Sequence, residues 1–109
     1  MRKYLMLGKY TAEGLQAARS DTFKKREEAI KEFSAALGAR IIEYGFTFGE
    51  YDFIVLAEFP DEKAAVAASL VAGSSSTVAI MTLPIMSPAE LDDASAHGDQ
   101  AHFKAAGQA

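Results

Sequence analysis

The sequence predicts an α+β domain with the element order βαββαβ. Three observations point there: a β-rich run opens the chain, two β-rich runs meet at Gly49-Glu50, and two helical stretches are each followed by glycine before the chain turns to strand again. With 109 residues there is material for one core and not for two. Folding such a chain should remove somewhat over ~60% of its unfolded surface from water.

Residues Lys3 to Tyr10 mix β-formers with Leu and Met and run into Thr11-Ala12-Glu13-Gly14, so a first strand is expected, then a loop or short helical turn. From about Asp21 to Leu37 the apolar residues Phe23, Ile30, Phe33 and Leu37 recur at helical spacing, with Lys24, Lys25, Glu28, Lys31 and Glu32 on the other side. Ser20 or Asp21 is the expected N-cap and Gly38 the stop. Residues 39–48 and 52–59 read as the second and third strands of a hairpin. Its Gly-X pair suits a two-residue II′ turn, in which the first central position needs positive φ. Pro60 ends that ladder and Asp61 caps a helix over Glu62 to Ala72, with Ala65, Ala68 and Val71 or Ala72 as a flat packing stripe. Thr77 to Leu83 is a β-branched fourth strand closed by Pro84. Ser87-Pro88-Ala89-Glu90 has the makings of a capped start for a short helix over about residues 88–96. The domain is therefore expected over residues 1–96, with residues 97–109 as a flexible tail.

Composition narrows the function. Half of the residues are hydrophobic and 24% are charged, as in globular chains. The net charge of −4 leaves no basic stripe for nucleic acid, and no nucleic-acid partner is expected. There is no cysteine and there are two histidines, His97 and His102, so thiolate chemistry is excluded and no metal site is expected. No glycine-rich phosphate loop opens a helix, and no cofactor is expected. The apolar run Tyr4 to Leu7 is too short for a signal peptide or a membrane span; the expectation is a cytoplasmic protein without a membrane partner.

Two strand-helix-strand units joined by a hairpin make the split βαβ, or ferredoxin-like, arrangement: an antiparallel sheet of order 4-1-3-2 with both helices on one face. A two-residue turn at Gly49-Glu50 sets Phe48 opposite Tyr51, Phe46 opposite Phe53, Tyr44 opposite Val55 and Ile42 opposite Ala57, all toward the helices. The other face then carries Ile41, Glu43, Gly45, Thr47, Asp52, Ile54, Leu56 and Glu58. Its apolar members, Ile41, Ile54 and Leu56, call for a cover, which a second copy of the chain would supply.

Three segments carry a resemblance: Tyr4-Leu5-Met6-Leu7-Gly8-Lys9-Tyr10-Thr11, Phe46-Thr47-Phe48-Gly49-Glu50-Tyr51-Asp52, and Ala57-Glu58-Phe59-Pro60-Asp61. Together they resemble the GYD-domain family over about residues 3–92, with Gly49, Glu50, Tyr51 and Asp52 as the naming turn. The resemblance implies a dimeric α+β barrel of ferredoxin-like subunits. Cofactor-free monooxygenases and muconolactone-isomerase-like enzymes use such barrels too, but a shared fold does not assign chemistry.

The candidate sites follow from these placements. Glu43 and Glu58 are diagonal neighbours on the mixed face, ~7 Å apart, a spacing at which one carboxylate can raise the pKa of the other and the pair can act as acid and base. The competing reading has them facing trapped water or lysines of a second subunit. Asp52 is a third carboxylate, which either lines a cleft or accepts amide hydrogen bonds at its turn. Tyr4, Tyr10 and Tyr51 are candidate ligand contacts, each an apolar body with a hydroxyl handle. The leading expectation is a homodimeric small-molecule-binding or accessory module. The alternatives are a cofactor-free isomerase or monooxygenase-like enzyme acting on a small apolar substrate, and a structural subunit of a larger assembly.

Overall fold

A computed structural model describes residues 1–108. The elements are β1 (Arg2–Tyr10), α1 (Ala12–Asp21), α2 (Phe23–Ala36), β2 (Arg40–Phe46), β3 (Phe53–Phe59), α3 (Glu62–Gly73), β4 (Val78–Pro84) and α4 (Pro88–Gly98). The four strands form one antiparallel sheet in the order β2-β3-β1-β4, which is the predicted order read from the other edge, and the fold is ferredoxin-like α+β.

One face of this sheet is the core. Tyr4 and Met6 of β1 and Phe53, Val55, Ala57 and Phe59 of β3 are buried against Ala65 and Ala68 of α3, with Ile30, Phe33 and Leu37 packed beside them. The period of two is plain in β3, where buried and half-buried residues alternate along its whole length. Phe59 is 1% exposed, and the Tyr4 ring meets it edge-on with centroids 5.6 Å apart. Gly8 is required where Phe53 crosses β1, because a Cβ there would stand 2.0 Å from the ring. Asp61, Ser87 and Gly38 do the work expected of them. Asp61 accepts from the Ala64 amide, Ser87 and Glu90 close a capping box, and Gly38 turns the chain at φ 75° after α2.

The remainder of the fold departs from expectation in four places. The loop after β1 is a full helix, α1. Its buried positions are Gly14 and Ala18, too small to mark an apolar stripe in the sequence. The helix that follows starts at Phe23, and its cap is Thr22 rather than Ser20 or Asp21. The backbone takes φ 144° at Thr22, whose side chain accepts from the Lys25 amide while its own amide closes α1 onto the Ala18 carbonyl.

The hairpin is also different. Strands β2 and β3 stop at Phe46 and start at Phe53, so six residues connect them, closed by the Thr47 amide donating to the Asp52 carbonyl (2.9 Å). Gly49 has no positive φ, there is no II′ turn, and Phe48 points fully into solvent instead of facing Tyr51. The connection is held from outside by β1. The Asp52 amide donates to the Gly8 carbonyl (2.8 Å) and Lys9 Nζ donates to the Glu50 carbonyl (3.2 Å). A local turn rule cannot foresee partners some forty residues away.

The third departure is a bulge in β2. Phe46 opposes Phe53 and Tyr44 opposes Val55 as expected, but the register slips between Ile41 and Glu43. Ile42 becomes the extra residue, 38% exposed, and Ile41 takes the place opposite Ala57 and packs on the core. Ile41 therefore leaves the mixed face and Arg40 joins it, directly opposite Glu58. Finally, α4 runs to Gly98 and includes His97, beyond the expected end near residue 96. It buries none of its residues and is tied to β1 by the Arg2–Glu90 ion pair (3.0 Å). Ala109, the last residue of the expected tail, lies outside the described residues.

The uncovered face of the sheet is organised by the same registers. Leu83, Leu5 and Leu56 lie side by side across β4, β1 and β3, and Met81, Leu7 and Ile54 form the next row. Beyond the first row Lys3, Glu58 and Arg40 make a charged one. No helix among the described residues is long and apolar enough to cross a membrane.

Candidate functional site

Helix α2 packs over β2 at one edge of the sheet, and α3 over β4 at the other. Between them a cavity of about 320 Å³ reaches down to the core. Its floor is Met6, Phe53, Val55 and Ile80; its walls are Ile30 and Phe33 from α2 and Ala68, Val71 and Ala72 from α3. The division into an apolar body and a few polar groups is the usual composition of a small-molecule pocket. The polar groups are Tyr10, Arg26 and Tyr44, with Ser34, Ser75 and Thr77.

The two phenols are held by the Phe53 ring between them. Tyr10 lies tilted against it at 5.1 Å and Tyr44 stacks on it at 6.3 Å. Burial pushes the Tyr10 hydroxyl above its ordinary pKa, Asp52 adds to this, and Arg26 and Tyr44 pull the other way. Tyr44 is pushed higher, again by burial first and then by the neighbouring Tyr10. Both are neutral hydrogen-bonding groups at physiological pH, each able to donate one proton and accept another.

Arg26 is half-buried and belongs to none of the ion pairs among the described residues. On the same helix Glu27 lies 3.7 Å from Lys31, at its start Asp21 lies 4.0 Å from Lys25, and Asp52 Oδ2 accepts the Tyr10 amide at 2.8 Å. A guanidinium cannot neutralise itself by giving up its proton, so this charge faces the cavity permanently.

The candidate tyrosines are not brought together. Tyr10 lines the cavity. Tyr4 lies in the core and borders a wider, shallower groove of about 950 Å³ on the outer side of α3, where the Ser69 and Thr82 hydroxyls meet at 2.6 Å. Tyr51 sits in the β2–β3 connection and donates to Met81 Sδ at 3.5 Å. Of the carboxylates, Glu43 and Glu58 share the uncovered face and Asp52 stands apart from them. Glu43 is exposed on the uncovered face opposite Leu56, while Glu58 forms an ion pair with Arg40 and has Lys3 on its other flank. Cations flank Glu58 on both sides of its row, and Glu43, opposite Leu56, lies diagonally from it on the same face. Asp52 fastens the β2–β3 connection to β1 through the Tyr10 amide. Gly49 and Glu50 are exposed within that connection. Among the described residues no three of His, Asp and Glu are grouped to hold a metal ion.

Arg26 is the site residue that sequence reading passed over; for Tyr44, set toward the helices by alternation, aromatic packing is the first reading and a pocket wall the second. The signal for Arg26 was present, since positions 23, 26, 30, 33 and 37 share one helix face and the member at 26 is charged.

A family model described as the GYD domain matches residues 4–95. No curated protein and no solved structure matches the chain.

Proposed function

The chain belongs to the GYD-domain family, and from that premise we propose that it is a homodimeric small-molecule-binding module, two subunits joined through the uncovered sheet face, each with one ligand site between α2 and α3. The observation that carries the binding reading is the cavity, which has apolar walls, neutral phenols and a cation without a partner carboxylate. Its volume lies at the small end of the usual range for ligand pockets, ~300–1,000 Å³.

The pairing is supported by surplus surface. The chain exposes 7657 Å², against about 5,900 Å² expected of a monomer of its mass. Its radius of gyration is 17.6 Å, against about 13 Å for a compact chain of this length. Part of this surplus is the projecting α4, and part is the uncovered face, where Met81 and Leu83 remain 45% and 40% exposed. An ordinary interface hides ~800 Å² on each partner, and the six-residue apolar rectangle with its charged border would form the centre of such a contact. The reading includes a cytoplasmic location, compatible with a chain that has no cysteine to oxidise.

Two measurements test it. Light scattering at tens of micromolar should return twice the 11.7 kDa chain mass; a single-chain mass rejects the pairing. Ala72→Phe fills the cavity from α3, and should abolish the binding of small apolar probes while leaving the circular dichroism and the mass unchanged. Undiminished binding by that variant rejects the cavity as the site.

A further inference from the structure

We infer that the occupant of the cavity between α2 and α3 is a small apolar acid carrying a single negative charge, its carboxylate on Arg26 and the Tyr10 and Tyr44 hydroxyls and its body among Ile30, Phe33 and Val55. This rests on the cavity being a binding site and adds the chemistry of what binds.

The argument is one of unmatched groups. A half-buried arginine on the apolar stripe of a helix is costly unless something answers its charge, and here none of the ion pairs among the described residues includes it; the neutral Tyr10 hydroxyl is what it meets. A wholly apolar ligand would strip water from the guanidinium and leave it bare. A carboxylate replaces that water with charge-assisted hydrogen bonds, which are about twice as strong as neutral ones. Both neighbouring phenols keep their protons, so neither competes with a carboxylate as an anion, and with Tyr44 turned toward Tyr10 the Tyr10 O–H is the one left to donate until a ligand draws Tyr44 away.

The surroundings also limit the charge. Arg26 is the cation among the described residues lining the cavity, while Asp52 acts on Tyr10 and Glu27 on Tyr44. A carboxylate in contact with Arg26 is answered by it, whereas each further negative charge on a ligand would meet those acids with no second cation to offset it, which opposes a phosphate or a dicarboxylate. Size points the same way: about 320 Å³ admits a benzoate or a medium-chain fatty acid, with the apolar end on the Val55 and Ile80 floor.

The test uses the full chain and four probes, benzoate and octanoate with their uncharged counterparts benzamide and 1-octanol. Binding is followed by calorimetry and by the methyl resonances of Ile30, Val55 and Ile80. The expected result is that each acid binds at least about tenfold more tightly than its neutral counterpart, a difference of ~1.4 kcal/mol. Arg26→Gln should abolish the preference, acid and neutral counterpart then binding alike, with the circular dichroism unchanged. Arg26→Lys, which keeps the charge and loses the fork, should retain part of the preference. Equal binding of acid and neutral probe, or a preference that survives Arg26→Gln, overturns the acid assignment and leaves the cavity standing as an apolar site. Acid binding that shifts methyls elsewhere and none of these three overturns it as well. If no probe of either kind perturbs the cavity methyls, both the assignment and the binding reading fall.

Discussion

The two faces of the sheet are built from nearly the same residue types and have opposite fates. Along β3, Phe53, Val55, Ala57 and Phe59 are buried, while Ile54 and Leu56 between them are only half-buried. On β1, Tyr4 and Met6 belong to the core while Leu5 and Leu7 face out. Hydrophobicity alone does not separate the faces. What separates them is that α2 and α3 lie on one, while among the described residues no helix packs over the other. A period of two puts residues on a side of the sheet; only a covering element makes that side a core.

The largest effect should come from the covered face. Phe59→Ala removes its most deeply buried large side chain and should cost ~3–5 kcal/mol in urea unfolding. A loss below about 1 kcal/mol would mean that this face is not the core. On the uncovered face, Leu56→Arg should leave a folded monomer by circular dichroism but halve the mass in light scattering. The subunit contact loses about 1.5–3 kcal/mol for each leucine no longer buried. A dimer that survives this change places the contact elsewhere.

Asp52→Ala acts between the faces, where the carboxylate ties the β2–β3 connection to β1. It should cost ~1–3 kcal/mol and speed amide exchange at Tyr10. Glu58→Gln, in the charged row bordering the uncovered face, should change chain stability by no more than about 0–1 kcal/mol, because the Arg40 side of its ion pair is largely in water. The smallest change concerns pH. The Ser87 amide first, and then Arg2, hold the Glu90 carboxyl below its ordinary value of 4.5. A depressed folded-state pKa means that Glu90's contribution is complete above that ordinary value and is lost as pH falls through the folded one. Wild type and Glu90→Gln should therefore differ in melting temperature at pH 7 and converge toward pH 3; a gap that widens on acidification contradicts the assignment.

Much of the fold was readable because its signals are local. Asp61, Ser87 with Glu90, and Gly38 are caps and stops whose partners lie within a few residues, and each does what its position implies. The facing of Tyr44 with Val55 and of Phe46 with Phe53 followed from alternation, and it held as far as the bulge. Helix α1 was not readable, because a helix that buries only Gly14 and Ala18 has no large apolar stripe to show. The candidate site was legible only in part. Tyr10 was named for its hydroxyl, but Arg26 was hidden among the lysines and glutamates of α2, and position 26 gains meaning only once the apolar face of that helix is seen to border a gap.

The sequence by itself determined the four strands and their order, helices α2, α3 and α4, the sheet topology and, up to the bulge, which residues of the hairpin alternate to which side. These follow from side-chain periods, caps and crossover handedness, all of which act along the chain or between neighbouring elements. Tertiary structure alone decided that Ile42 is expelled as a bulge so that Arg40 meets Glu58, that the β2–β3 connection hangs on β1 rather than closing on Gly49, and that α2 and α3 stand apart around Arg26, Tyr10 and Tyr44. Each depends on contacts between distant segments, where a backbone amide or a charge takes the best partner that three dimensions bring within reach.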